Sequence, residues 1–149
     1  MSGRPPLPLA RPAVGAAEAD AVARVIASRH LAMGPEVAAL EREVSALLAG
    51  AEVAAVSSGG TALLCALAAL DVGPGDEVVV PAFTFPAAAQ AALWLGAIPI
   101  AADVDADTMA VTPDTVAAVC GPRTRAVVVV HPFGLAAPVE AVADAVGGV

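Results

Sequence analysis

Two short valine runs, Val78-Val79-Val80 and Val127-Val128-Val129-Val130, constrain the fold more than any other feature of the chain. Neither alternates with polar residues, so neither suits a strand with one face in water. Strands covered on both faces have this composition, and sheets covered on both faces are built from parallel strands crossed by helices. The segments between the runs carry helical spacing to match. The pattern predicts strands over 53–56, 78–80, 98–104 and 126–130, and helices over 61–70, 86–95, 113–120 and 139–146. The fold class is therefore α/β, a mostly parallel sheet flanked by helices with right-handed crossovers.

Ahead of this alternation lie two other kinds of segment. Residues 1–15 are Pro-rich and are expected to run extended, because proline forbids regular pairing. Residues 16–50 hold two amphipathic helices, the first over 16–28 and the second opening at Pro35 and stopping at Gly50. Residues 51–149 then form an incomplete α/β domain, since the chain ends at Gly147-Gly148-Val149 where a further strand is expected and would leave an edge unpaired.

Composition narrows the chemistry. The 149 residues suffice for one domain or part of a larger one, and 58% of them are hydrophobic. A net charge of −8 with scattered arginine argues against a nucleic-acid surface. No apolar stretch reaches the roughly 18 residues that span a bilayer. The prolines and acids at the amino end replace the apolar core of a secretory signal, so a cytoplasmic location is expected. Cys65 and Cys120 read as reduced core residues, and Met33 and Trp94 as packing residues. All seven basic residues are arginine. Without lysine, the chain can neither form a lysine Schiff base nor complete a Walker-type phosphate loop.

Four loops hold the candidate chemistry. Ser57-Ser58-Gly59-Gly60-Thr61 joins a strand to a helix, where free N–H groups and hydroxyls suit an anion such as phosphate; a capped Gly-rich turn has the same residues. Pro81-Ala82-Phe83-Thr84-Phe85-Pro86 follows a buried strand at the edge where open α/β sheets take ligands. Its phenylalanines could stack on a planar heterocycle or plug the core. Asp103-Val104-Asp105-Ala106-Asp107-Thr108 reads as an Asx-type turn, with Asp107 a candidate cap, rather than a metal site. His131-Pro132-Phe133-Gly134 again follows a strand end, and His131 reads either as a pocket group or as a satisfied structural histidine.

In this order the motifs resemble the amino-terminal part of the DegT/StrS-type sugar aminotransferases over residues 7–146. The resemblance is carried by Arg11-Pro12, Leu31-Ala32-Met33-Gly34-Pro35-Glu36-Val37, Val56-Ser57-Ser58-Gly59 and Gly73-Pro74-Gly75-Asp76-Glu77-Val78. It continues through Pro81-Ala82-Phe83-Thr84-Phe85, Gly96-Ala97-Ile98-Pro99 and Asp103-Val104-Asp105-Ala106-Asp107-Thr108, then Pro122-Arg123-Thr124-Arg125-Ala126 and Val130-His131-Pro132-Phe133-Gly134.

The resemblance implies part of the large domain of a fold type I enzyme that uses pyridoxal 5'-phosphate. It implies that Ser58, Gly59, Gly60 and Thr61 hold the cofactor phosphate, that Phe85 stacks on the pyridine ring, and that His131 lies near the pocket. It further implies amino transfer from an amino-acid donor, with glutamate expected, to a keto-sugar nucleotide, in a homodimer. The family's ring-pairing Asp and its Schiff-base Lys have no counterpart in these residues, so the chain alone is expected to be inactive. The alternatives are a portion of a pyridoxamine-phosphate-dependent sugar dehydratase, half of a split enzyme, a non-catalytic truncated product, or a nucleotide-binding module.

Overall fold

The structure, a computed structural model, describes residues 7, 8 and 10–147. Residues 1–6 and 9 of the expected extended segment, and Gly148 and Val149 where a further strand was expected to begin, lie outside the described residues. The chain divides between Ala55 and Val56 into two compact units.

The first unit holds helix α1 (Ala16–Ser28) and helix α2 (Pro35–Leu47). Helix α1 starts where the Gly15 N–H donates to Glu18 Oε2 at 2.6 Å. That bond holds the Glu18 carboxyl below the usual carboxylate range. Pro35 opens α2, where its missing N–H would have had no helical partner. Just before it, a Cβ at Gly34 would stand 2.9 Å from His30 Cδ2, so a larger residue there would require the exposed His30 side chain to shift. Neither helix buries a residue, and Met33 is exposed rather than packed.

The expected strand over 53–56 is absent. A strand exists only with a neighbour to bond, and the Ala55 N–H instead donates to Glu41 Oε1 at 2.8 Å.

The second unit is organised by strand β1 (Glu77–Pro81), which lies between β2 (Ile98–Ala102) and β3 (Thr124–Val127). Both pairings are parallel, as the valine runs imply, with Val79 opposite Ile100 on one side and Val127 on the other. Side chains alternate across a strand, and β1 is buried on both faces. Val78 and Val80 pack with Leu67 of helix α3 (Gly59–Ala69) and with Ala88, Ala91 and Ala92 of helix α4 (Ala87–Trp94). Val79 packs on the opposite face with Val116 of α5 (Pro113–Ala117) and Val142 of α6 (Val139–Val146). The alanines of α4 keep that helix close to the sheet.

The strands are shorter than the valine and isoleucine runs suggest. β2 stops at Ala102, and β3 begins at Thr124 and ends at Val127. Among the described residues β3 has a sheet neighbour on one side only, and Val128, Val129 and Val130 beyond it are half-buried. Cys120 is half-buried beside the packing of Val79, Val116 and Val142, and burial raises its thiol pKa, with the Thr124 hydroxyl opposing. Cys65, expected in the core, is exposed on α3: that helix is apolar all round, yet only Leu67 is buried.

The acidic loop after β2 is a turn. Asp105 organises it, in place of Asp107: Asp105 Oδ1 accepts the Thr108 N–H and hydroxyl at 2.9 Å each and the Asp107 N–H at 3.2 Å. The Thr108 N–H, then the Thr108 hydroxyl, lower the Asp105 pKa.

Two outcomes follow from this packing. Val79→Ala, at a side chain with 0% exposure, should cost about 2 kcal/mol in chemical denaturation through lost burial and a residual cavity. Because the folded pKa of Asp105 is depressed, its contribution is present above the ordinary aspartate range and lost as pH falls through the lower folded value. An NMR titration should show the Thr108 amide resonance moving with that low pKa, and Asp105→Ala should abolish the transition.

Candidate functional site

Parallel pairing gathers the carboxyl ends of all three strands on one edge. The chain passes from β1 to β2 on one side and then to β3 on the other. A crevice is expected where the direction reverses, outside the carboxyl ends of β1 and β3. The loops carrying Phe85 and His131 leave from those two ends.

The start of α3 completes this edge. Ser58, in extended conformation, caps the helix: its Oγ accepts the Thr61 N–H at 3.1 Å. Thr61 Oγ1 lies 3.1 Å from Ser57 Oγ and 3.0 Å from Ser58 Oγ, so three hydroxyls form one small network. The Ala62 N–H bonds the Ser58 carbonyl at 2.9 Å. Among the described residues the N–H groups of Gly59 and Gly60 have no partner. These are the orphan donors of a helix start, at its positive end. Among the described residues nothing requires glycine at 59: its φ is not in the left-handed range, and an added Cβ would meet no atom within 4 Å.

Ser58, Gly59 and Gly60 border a cavity of about 630 Å³, and Phe85 borders the same cavity. Phe85 is 79% exposed, which removes the reading of this ring as a core plug. Thr61 does not line the cavity; its hydroxyl serves the network behind it.

His131 lines a neighbouring cavity of about 280 Å³, which shares Thr84, Phe85 and Val130 with the larger one. Its Nδ1 accepts the Ala137 N–H at 2.9 Å, so the structural reading of this histidine is satisfied on one nitrogen. In the neutral ring that bond puts the proton on Nε2.

Two lining residues escape the sequence reading. Gln90 and Trp94 stand four residues apart on α4 and both border the larger cavity. Trp94 is 67% exposed, not a packing residue. The available signal was Gln90, the one polar side chain in an otherwise apolar helix.

Comparison with known proteins gives a consistent result. The sequence profile of the DegT/DnrJ/EryC1/StrS aminotransferase family matches residues 12–146. The chain is 38% identical to DesV from S. venezuelae, solved in complex with a ketimine intermediate, with a TM-score of 0.82 over 89% of this chain and 37% of that one. It is 40% identical to 3-amino-5-hydroxybenzoic acid synthase, with a TM-score of 0.87 over 97% of this chain and 38% of the other. A Streptococcus pneumoniae protein assigned as a sugar aminotransferase, in its PLP form, is 29% identical with a TM-score of 0.88, covering 93% of this chain and 36% of that one. The chain thus spans little more than a third of the length of the structures it matches.

Proposed function

The chain belongs to the DegT/DnrJ/EryC1/StrS aminotransferase family, and from that premise we propose that the start of α3 and Phe85 hold pyridoxal 5'-phosphate in a protein that moves an amino group from an amino-acid donor, glutamate being expected, to a keto-sugar nucleotide. The observation that carries this reading is the cavity bordered at once by Gly59, Gly60 and Phe85. Its volume of about 630 Å³ is in the usual range of small-molecule sites, roughly 300–1,000 Å³.

The residues fit the group. Two unpartnered N–H groups at the positive end of an eleven-residue helix suit a phosphate, and the Ser58 hydroxyl is beside them. The open space over Gly59 leaves room for an anion to approach the backbone. Phe85 offers an aromatic face that the core does not use. When bound, the cofactor supplies an electron-withdrawing ring that can delocalise charge left on a substrate carbon.

The work of these residues is to bind and orient. No lysine occurs among the 149 residues, so in this reading the covalent step draws on an amine from outside them and the chain alone is inactive. The reading extends to a cytoplasmic homodimer, as expected from the family resemblance. The likeness to 3-amino-5-hydroxybenzoic acid synthase favours one variation, a carbocyclic acceptor in place of the sugar.

Equilibrium titration tests the cofactor. Pyridoxal phosphate should bind more tightly than pyridoxal, NAD or ATP. Gly59→Asp, which sets a carboxylate at the helix start, should weaken it about tenfold or more while leaving the circular dichroism intact. Equal binding of pyridoxal and its phosphate, or indifference to Gly59→Asp, would refute the phosphate role. With donor, acceptor and cofactor present, the chain alone should give no aminated product by mass spectrometry; turnover would overturn the claim of inactivity.

A further inference from the structure

Phe133 occupies a position that turn chemistry would give to another residue. Pro132 to Leu135 form a tight turn closed by the Leu135 N–H on the Pro132 carbonyl at 2.9 Å. Its central residues, Phe133 and Gly134, have φ of 53° and 84°. Turns with two left-handed central residues favour Asn, Asp or Gly at the first of them, and a bulky side chain there is strained. Burial does not offset the strain, because Phe133 is 90% exposed. The ring instead stands 6.4 Å from that of Phe83, tilted by 49°.

We propose that Phe83 and Phe133 form the wall that takes the ring of the acceptor substrate, an inference that rests on the cofactor reading above. The two rings line the cavity of about 280 Å³ with Thr84, Phe85 and His131. Among the described residues no acidic or arginine side chain lines it, which suits an uncharged part of the acceptor better than a phosphate. Exposed aromatic faces match the apolar face of a six-membered ring. The Thr84 hydroxyl and the protonated Nε2 of His131 are hydrogen-bonding groups for hydroxyls on the ring's edge. Thr84, Phe85 and Val130 belong to both cavities, which sets such a ring directly beside the pyridine position. Strain kept at an exposed residue is accounted for by this contact.

Phe133→Asn tests the proposal on the full chain, since it suits the turn and removes the wall. The variant should melt at a higher temperature than the parent. Saturation-transfer NMR with methyl β-D-glucopyranoside and with resorcinol should detect at least one of them on the parent, at millimolar concentration, and a severalfold weaker signal on Phe133→Asn. A glucoside signal alone assigns the wall to sugars, and a resorcinol signal alone to carbocycles. A less stable variant, an undiminished signal, or no binding to the parent would overturn the proposal. Pyridoxal phosphate affinity should be unchanged in Phe133→Asn, and ring binding unchanged in Gly59→Asp. Loss of cofactor binding alone, with Phe133-dependent ring binding intact, would sink the cofactor reading and leave the wall standing.

Discussion

Burial of β1 on both faces is the constraint from which the second unit follows. Val78 and Val80 point to the α3–α4 side and Val79 to the α5–α6 side, all three almost completely buried. A strand covered in this way is typical of sheets whose connections cross over as helices, and both neighbours of β1 are parallel to it. Parallel strands end together. The loops after β1 and β3 therefore meet at one edge without any residue in them having to specify that meeting. The valines hold the scaffold, and the edge they define is where variation in loop sequence can become chemistry.

At that edge the hydroxyls and the N–H groups divide the work. Capping of a helix by serine is worth about 1 kcal/mol, and the Ser58 side chain is committed to it through the Thr61 N–H. Thr61 in turn holds Ser57 and Ser58 through its hydroxyl. The network uses side chains to fix the shape of the turn, and among the described residues the backbone donors of Gly59 and Gly60 stay without a partner. The motif Ser57–Thr61 contains both readings because the cap and the cradle are the same turn. What the sequence could not show is that this turn borders a cavity, because that is a tertiary property.

Much of the fold was legible because burial writes itself into hydrophobic period. The helices over 16–28 and 139–146 and the central strand follow directly from it. The segment at 53–56 has a similar apolar character and forms no strand, because a strand is a relation between two segments and period describes only one. β3 shows the same limit: its valine run continues to Val130, while pairing begins at Thr124. Residues were misjudged where apolar character was equated with burial, as at Cys65, Met33 and Trp94. For the candidate site, position at a strand's carboxyl end was readable, whereas the contribution of Gln90 and Trp94 needed the helix to be set beside the cavity.

The distribution of aromatic residues is set apart from the buried core in this chain. It contains three phenylalanines, one tryptophan and no tyrosine, and none of these four is buried. Phe83, Phe85, Phe133 and Trp94 all border the two cavities at the sheet edge. The buried core is assembled from valine and alanine with a single leucine. Aromatic side chains normally dominate cores because each removes so much area from water. Here small residues close the packing between helices and sheet, and no aromatic ring is used to hold them. Four large apolar surfaces kept in solvent cost free energy unless something covers them. Their confinement to one edge, one of them on a strained backbone, is not explained by the packing of the described residues.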